Sequence, residues 1–393
     1  MPILIRYVLA DLAKVFLVAL AALTMMMLVV GLFREAAQQN LPLSAVLRLV
    51  PYILPDALRM TVPVTLLLAS TTVFSRMSGA NEVVAIKALG ISPMVLLWPV
   101  LVLSFLLSLL TVWLNDMAVS WGRNGVQQVV LEAAEDIIYS VLQSQRHYSS
   151  SGFSINVKQV DSRRLQRITL TLQPRNNAPS VMISAEEAEL RSDPVERRLK
   201  IALRNGTVDW GKASLQFDFY EVEIPLNEAS KARSTGGSPS WMALREIPEE
   251  IARQEAEIQR EEQTMAAAAA YQMLCGEFDE MTDGRWEGRR SARVEQWGRL
   301  YRLMTEPHRR WSAGFSCLCF VLVGAPMAIR LRNRDFLTSF FLCFLPILVV
   351  YYPLLAAGID GAKNGSVPYY SVWAGNLLLV LWSAVLFRKV QRY

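Results

Sequence analysis

Charge is scarce in this sequence: of 393 residues only 19% are Asp, Glu, Lys or Arg, where soluble domains carry about a quarter. That balance argues against an ordinary cytosolic globular protein. Histidine is scarcer still, with His147 and His308 the only two, which argues against a histidine-built metal or acid–base site. The four cysteines, Cys275, Cys317, Cys319 and Cys343, are too few for a disulfide scaffold, and the last three sit in apolar runs where thiols pack. No G-x-x-x-x-G-K-[ST] phosphate loop, no G-x-G-x-x-G after a strand and no G-x-S-x-G elbow is present. If the chain performs work, the energy or the reactive group comes from another subunit, which points to a transporter subunit, a receptor or an anchor. Apolar residues, by contrast, reach 52%, and 15 Phe, 12 Tyr and 10 Trp exclude disorder as the main state.

A hydrocarbon core ~30 Å thick requires about 20 apolar residues at helical rise. Six runs qualify: Val15–Phe33, Pro55–Phe74, Met94–Asn115, Trp311–Ile329, Phe336–Gly358 and Pro368–Phe387. They form two three-helix blocks, residues 1–115 and 311–393, around a segment of soluble composition. The first run lacks a small-residue cleavage site and is too long for a signal-peptide core. Lys and Arg near the span ends set the orientation. With the N-terminus inside, ten fall on the cytoplasmic side (Arg6, Lys14, Arg76, Lys87, Arg330, Arg332, Arg334, Arg388, Lys389, Arg392) and four outside (Arg34, Arg48, Arg59, Lys363). Both termini are therefore expected in the cytoplasm and residues 116–310 beyond the outer face. The net charge of +5 resolves into these anchors and a few outward arginines.

Residues 116–233 contain short alternating runs between Phe153 and Pro225, the period of half-buried strands, punctuated by Pro174–Asn177, Ser192–Pro194 and Asn205-Gly206. A small β-sandwich or jelly roll is expected, either a structural plug or a sheet that binds or conducts something. Residues 234–310 change character: a Ser/Gly/Pro linker leads into a charge-rich stretch with Pro248, Glu249 and Glu250 at a helix start. The bland reading is a solvated helix, with the basic tail Arg285–Arg310 resting against the membrane surface.

Two polar features stand out near the spans. Asp56 and Arg59 share a helical face, bracketed by Pro51, Pro55 and Pro63, which should bend or interrupt that helix. They are either a mutual salt bridge or a polar ledge that, with Arg34, suits phosphate or carboxylate groups. The short inner loop, residues 78–93, holds a helix capped by Asn81, with Glu82 at its positive end and Gly90 closing it. Val83, Val84, Ile86 and Leu89 give it an apolar side. It either lies in the headgroups or fits a cytoplasmic partner.

The sequence resembles the lipopolysaccharide-export permeases of the LptF/LptG type. The matching pieces are Ile5-Arg6-Tyr7, the inner-loop pattern Asn81-Glu82-x7-Gly90-Ile91-Ser92, the Glu306–Arg310 entry to the fourth span, Gly324-Ala325-Pro326 within it, and the three-plus-three layout. The resemblance covers residues 1–230 and 296–393. It implies a helical membrane protein of six transmembrane helices with a periplasmic β-jelly roll between the third and fourth. The implied role is the non-catalytic permease subunit of an ABC-type exporter in the bacterial inner membrane. It would pair with a second permease, a cytoplasmic ATPase dimer that uses the ATP, and a periplasmic jelly-roll bridge. The chain itself would hold no cofactor or metal.

By position, the resemblance puts Glu82 in the coupling helix that docks on the ATPase, with Asn81, Val83, Ile86 and Gly90 around it, and matches Arg34 to a basic position at the outer mouth for substrate phosphates. Arg59 and Lys363 join as substrate candidates by location alone. Two departures stand out: Met327-Ala328 replaces the usual Leu-Gly after Gly-x-Pro, and the 234–293 insert is longer and more helical than the usual re-entry segment. Ile5-Arg6-Tyr7 and Ala178–Val181 lean to the F-like paralogue. The competing reading is a mechanotransmitting or scaffold membrane protein that couples an ATPase to periplasmic partners without carrying substrate. A membrane enzyme acting on lipid would need a nucleophile–base or metal site, of which the sequence has none.

Overall fold

The structure is a computed structural model that describes residues 2–39, 43–132, 134–150, 153–161, 164–172, 181–193, 198–210, 213–225, 238–276, 284–331 and 336–392. The turn cluster 174–177, residues 178–180, Pro194, the linker residues 234–237, and Arg332 and Arg334 lie outside these. The helices are α1 (Pro2–Gln39), α2 (Leu43–Gly79), α3 (Glu82–Ala88), α4 (Met94–Met117, continued by a π-helical turn Ala118–Gly122), α5 (Arg123–Glu132) and α6 (Ala134–Gln145). After six strands come α7 (Ile247–Cys275), α8 (Gly284–Arg330), α9 (Phe336–Pro346, continued by a π-helical turn Ile347–Tyr351), α10 (Tyr352–Lys363) and α11 (Ala374–Arg392). Among the described residues, six stretches are long and apolar enough to cross a membrane: Ile3–Ala37, Val46–Gly79, Met94–Gly122, Trp286–Arg330, Thr338–Lys363 and Tyr369–Val390. Four of the six apolar runs lie wholly within them, and Phe336–Gly358 and Pro368–Phe387 lie within them but for their first one or two residues. The chain divides into two compact units, Met1–Met27 with Leu54–Ser120 and Pro239–Tyr393, and Leu28–Ile53 with Trp121–Ser238.

In the first unit a core of Val8, Leu12, Leu66, Phe74, Leu97, Val321 and Ala325 joins the helices. Apolar burial gains little where lipid is the alternative, so close approach and buried hydroxyls hold the helices together. Thr24 bonds Thr61 at 3.1 Å, Ser75 donates to Ser339 at 3.2 Å, and Thr111 meets the Cys317 thiol at 3.4 Å. The α4–α8 seam is tightest at Gly314, where an added Cβ would lie 2.3 Å from Val112 Cγ2 and 3.3 Å from the Ser108 carbonyl. Gly324 likewise sits against Leu67, and Ala328 is fully buried, so the Met327-Ala328 departure leaves close contact in place at this motif. The three prolines do not interrupt α2, which stays helical through Pro51, Pro55 and Pro63.

The Arg285–Arg310 stretch forms the first half of α8, one continuous helix with the fourth span, rather than a separate tail. It pairs with α7 through Arg299–Glu250 at 2.6 Å, Arg293–Glu262 at 3.8 Å and a hydrogen bond from Trp286 to Gln272.

In the second unit the ends of α1 and α2 pack on α5 through Leu49, Val129 and a Tyr52–Trp121 ring pair. The strands β1 (His147–Ser150), β2 (Phe153–Asp161), β3 (Arg164–Leu172), β4 (Val181–Asp193), β5 (Arg198–Trp210) and β6 (Ala213–Pro225) form one antiparallel sheet in sequence order. The antiparallel strands expected of a jelly roll are present, but β4, β5 and β6 are long, at 13 residues each, and the connectivity among the described residues is that of a meander. Ile155, Leu165, Leu170, Ile183, Leu190, Ile201 and Leu203 line its core, closed by Ile138 and Leu142 of α6, where the Tyr139 hydroxyl accepts from Leu190 N–H at 3.0 Å.

Alternation fails at one level of this sheet. Between the core residues Val157 and Val160, Leu165 and Ile168, and Ala185 and Ala188, two successive side chains face away from the core. Leu203 and Gly206 of β5 repeat the spacing, and these quartets lie in register across the strands. A strand can present two neighbours to one face only by leaving the extended region. Arg167 and Asn205 do so, with φ of 53° and 49°, a left-handed conformation costing about 1–2 kcal/mol for a non-glycine residue. Asn205-Gly206 is thus the crest of a crease within β5 and not the expected turn. Its left-handed preference is met inside a strand, and Gly206 is required because a Cβ there would lie 2.3 Å from the Ser184 carbonyl oxygen.

Replacing Gly314 by Val must separate α4 from α8 or displace Val112; we expect a loss of about 1–3 kcal/mol, read as a lower thermal midpoint of the detergent-solubilised protein. An unchanged midpoint contradicts the close seam.

Candidate functional site

The helix α3 begins at Glu82, whose carboxylate stands at the positive end of the peptide dipoles. Asn81 precedes it in the left-handed region, φ 60°, and its side chain does not cap the helix. Gly90 ends the loop at φ 75°, and the Gly90 N–H donates to the Lys87 carbonyl. The expected single apolar side is split. Val83 is buried and Ile86 packs on the same helical core, whereas Val84 and Leu89 are 44% and 76% exposed. The loop is anchored to the bundle: Lys87 Nζ donates to the Val390 carbonyl at 3.3 Å, and Ser78 donates to the Ile329 carbonyl at 2.7 Å. Its free surface is therefore Val84, Leu89 and the exposed alanines between them, with Glu82 half-buried at the rim.

Of the substrate candidates, Arg34 is exposed on α1 within the second unit. Arg59 is mostly buried in the first unit, bonded to Asp56 at 2.5 Å and donating to Asn115 Oδ1 at 3.2 Å. The Asp56–Arg59 salt bridge is thus present, with Asp56 the more exposed partner. Lys363 is half-buried in the last turn of α10, beside Gly365, whose backbone meets the Tyr301 ring.

At Asp116, the residue next to Asn115, begins a network that the spacing of residues did not single out. Arg310 and Glu306 are each 1% exposed. The Arg310 guanidinium donates from Nε to Glu306 at 3.2 Å, from Nη1 to Asp116 at 3.2 Å and from Nη2 to the Met242 carbonyl at 2.7 Å. Arg309 donates to both Glu306 oxygens, and Asp116 also accepts the Leu244 N–H at 2.8 Å. Two cations and two carboxylates balance, and the geometry suits a planar five-donor fork that a lysine lacks. The network ties the end of α4, the chain just before α7 and α8 into one knot. Its only trace in the sequence is the Glu306–Arg310 charge cluster directly before an apolar run; its partners lie far off in the chain.

Among the described residues no group of three or more His, Cys, Asp or Glu side chains is placed to hold a metal. Removing one member of a buried ion pair strands the other, at a cost of about 3–5 kcal/mol. Arg310→Ala should therefore lower the thermal midpoint sharply and expose residues 239–246 to limited proteolysis. Arg310→Lys should recover little, and full recovery by lysine would show that charge alone suffices.

A comparison with curated proteins gives no match. The family model for the lipopolysaccharide export system permease LptF/LptG, in contrast, matches residues 6–389. That span takes in the six membrane-length helices but for the first three residues of the first and the last residue of the sixth, together with the creased sheet and the helical insert, so the resemblance seen in the motifs holds for nearly the whole chain. The chain belongs to the lipopolysaccharide export system permease LptF/LptG family.

Proposed function

We propose that the chain is the transmembrane permease subunit of an ABC-type exporter that extracts lipopolysaccharide, or a similar phosphorylated glycolipid, from the inner membrane and passes it to periplasmic jelly-roll partners. The observation that carries this reading is the family match over residues 6–389. The Lys/Arg bias supports cytoplasmic termini and a periplasmic β domain. ATP is used by a separate cytoplasmic ATPase dimer; this chain supplies the stroke's receiver and no catalytic group.

For that receiver we put forward α3. Glu82, Val84 and Leu89 offer a polar rim and a small apolar knob, and the bonds from Lys87 and Ser78 to the ends of α11 and α8 couple any push on it to two spans. A homologous second permease is supported by uneven burial: within the chain the first and fifth spans are only 6% and 17% buried, against 67% for the second and fourth. Those two apolar faces need a cover, which lipid or a second permease supplies. Arg34 is the strongest candidate for substrate phosphates, being exposed and cationic. Arg59 would bind an anion by exchanging it for the exposed Asp56, and Lys363 would serve as a further cation.

Glycolipid should co-purify with the complex in mild detergent. Arg34→Glu should weaken photocrosslinking to it severalfold, and Arg59→Glu should weaken it less because Asp56 already neutralises that site. Leu89→Arg and Glu82→Ala should reduce ATPase co-purification. An ATPase that still binds while no glycolipid is ever carried would favour the scaffold reading instead.

A further inference from the structure

The crease in the sheet makes a hollow of about 710 Å³ on the face away from the core, within the range of small-ligand sites, about 300–1,000 Å³. Its position coincides with the left-handed residues, and both of them, Arg167 and Asn205, line it. Strain kept in non-glycine residues clusters where structure serves a ligand. The rest of the lining is unusual for a sheet surface. Hydroxyls come from Thr169, Ser184 and Thr207, and amides from Asn156, Asn205 and Gln216.

The charges in the hollow are unresolved. Lys158 stands opposite Arg167, because the flanking pairs Val157–Ile168 and Gln159–Gln166 fix the register. Like charges directly opposite one another destabilise a sheet. Among the described residues neither cation has a hydrogen-bond or ion-pair partner, and Glu186, which lines the same hollow across the other side of Arg167, is not in ion-pair reach of it and leaves the hollow with one net positive charge. An anion seated between Lys158 and Arg167 removes the repulsion, and the hydroxyl and amide rows beside it match the alternating donors and acceptors of sugar hydroxyls.

We propose that this hollow binds an anionic saccharide, its phosphate or carboxylate held by Lys158 and Arg167 and its hydroxyls by the amide and hydroxyl side chains. The site lies on the polar face of the sheet, opposite the apolar core face, and it does not depend on the chain carrying lipid. Two sources share this chemistry: the sugar part of a phosphorylated glycolipid, and carboxylate-bearing saccharides of the cell wall.

The test uses the full chain in nanodiscs of synthetic zwitterionic lipid, free of glycolipid, titrated calorimetrically with three probes. These are a deacylated phosphorylated oligosaccharide, a soluble wall fragment carrying lactyl carboxylates, and inorganic phosphate. We expect one of the two saccharides to bind, which identifies the source, and phosphate alone to bind more weakly. The double substitution Lys158→Ala, Arg167→Gly should weaken saccharide binding at least about tenfold, as expected for two charge-assisted contacts. Arg167→Gly keeps the left-handed backbone available, so its thermal midpoint should hold or rise. Asn205→Gly, which also keeps that backbone, should weaken binding severalfold and guards against a folding defect in the first variant. No binding of either saccharide, equal binding of free phosphate, or undiminished binding by all these variants overturns the proposal. Glycolipid co-purification with the same variants reads the export function separately, so failure of one reading is distinguishable from failure of the other.

Discussion

A guanidinium fully withdrawn from water must find carboxylates and carbonyls, and in this protein Arg310 imposes that demand on its own helix and on two distant pieces of chain. It stands one residue before the apolar run Trp311–Ile329 and is 1% exposed. At that depth an unpaired charge is far more costly than the entropy of gathering its partners. Asp116 at the end of the third span, Glu306 one turn back on α8 and the carbonyl of Met242 therefore converge on it. The described part of the insert leaves the bundle from this knot: Ser240, Met242 and Leu244 are bonded to Arg310 and Asp116, α7 starts at Ile247, and the first half of α8 returns alongside it. The two-helix arm and the third and fourth spans are thus parts of one construction with a common polar pin.

Away from the pin, the bundle is held by small and hydroxylated residues. Ser108 shows the economy of this: it bonds back to the Ser104 carbonyl within α4 and accepts the Leu318 N–H of α8. Gly314 stands next to it, so close approach and hydrogen bonding occur at the same level of the seam. Asn376 repeats the pattern on α11, donating to the Ser312 carbonyl at 3.0 Å while Ser312 donates to the Val372 carbonyl. Such contacts have direction, which side-chain burial in lipid lacks.

The spans were legible because twenty apolar residues in a row have few alternatives, and the Asp56–Arg59 pair because a spacing of three residues fixes one helical face. The insert's helical character could be read from Pro248 and its charge pairs. What escaped the sequence depended on partners or on phase. Arg310 is one basic residue among several until Asp116, 194 positions away, is set beside it. In α3, seven residues are too few to fix rotation, so Val83 and Ile86 could not be separated from Val84 and Leu89. The crease did leave a trace, the repeated apolar–polar–polar–apolar quartets at 157–160, 165–168, 185–188 and 203–206. Singly they read as strand irregularity, and only the register shows them to be one line. Asn205-Gly206 carried a true signal, a left-handed backbone, attached to the wrong element.

The unbroken α8 has a mechanical consequence. Its 47 residues make about 70 Å of helix at 1.5 Å per residue. The pin at Arg310 stands partway along it, with Arg330 at one end and Gly284 at the other. A rod held at an intermediate point acts as a lever: a tilt of about 5° around the pin swings its Gly284 end by about 3 Å over the intervening ~39 Å of rise. The charged half of α8 and its apolar half are in this sense one rigid piece, with no joint between them to absorb such a tilt.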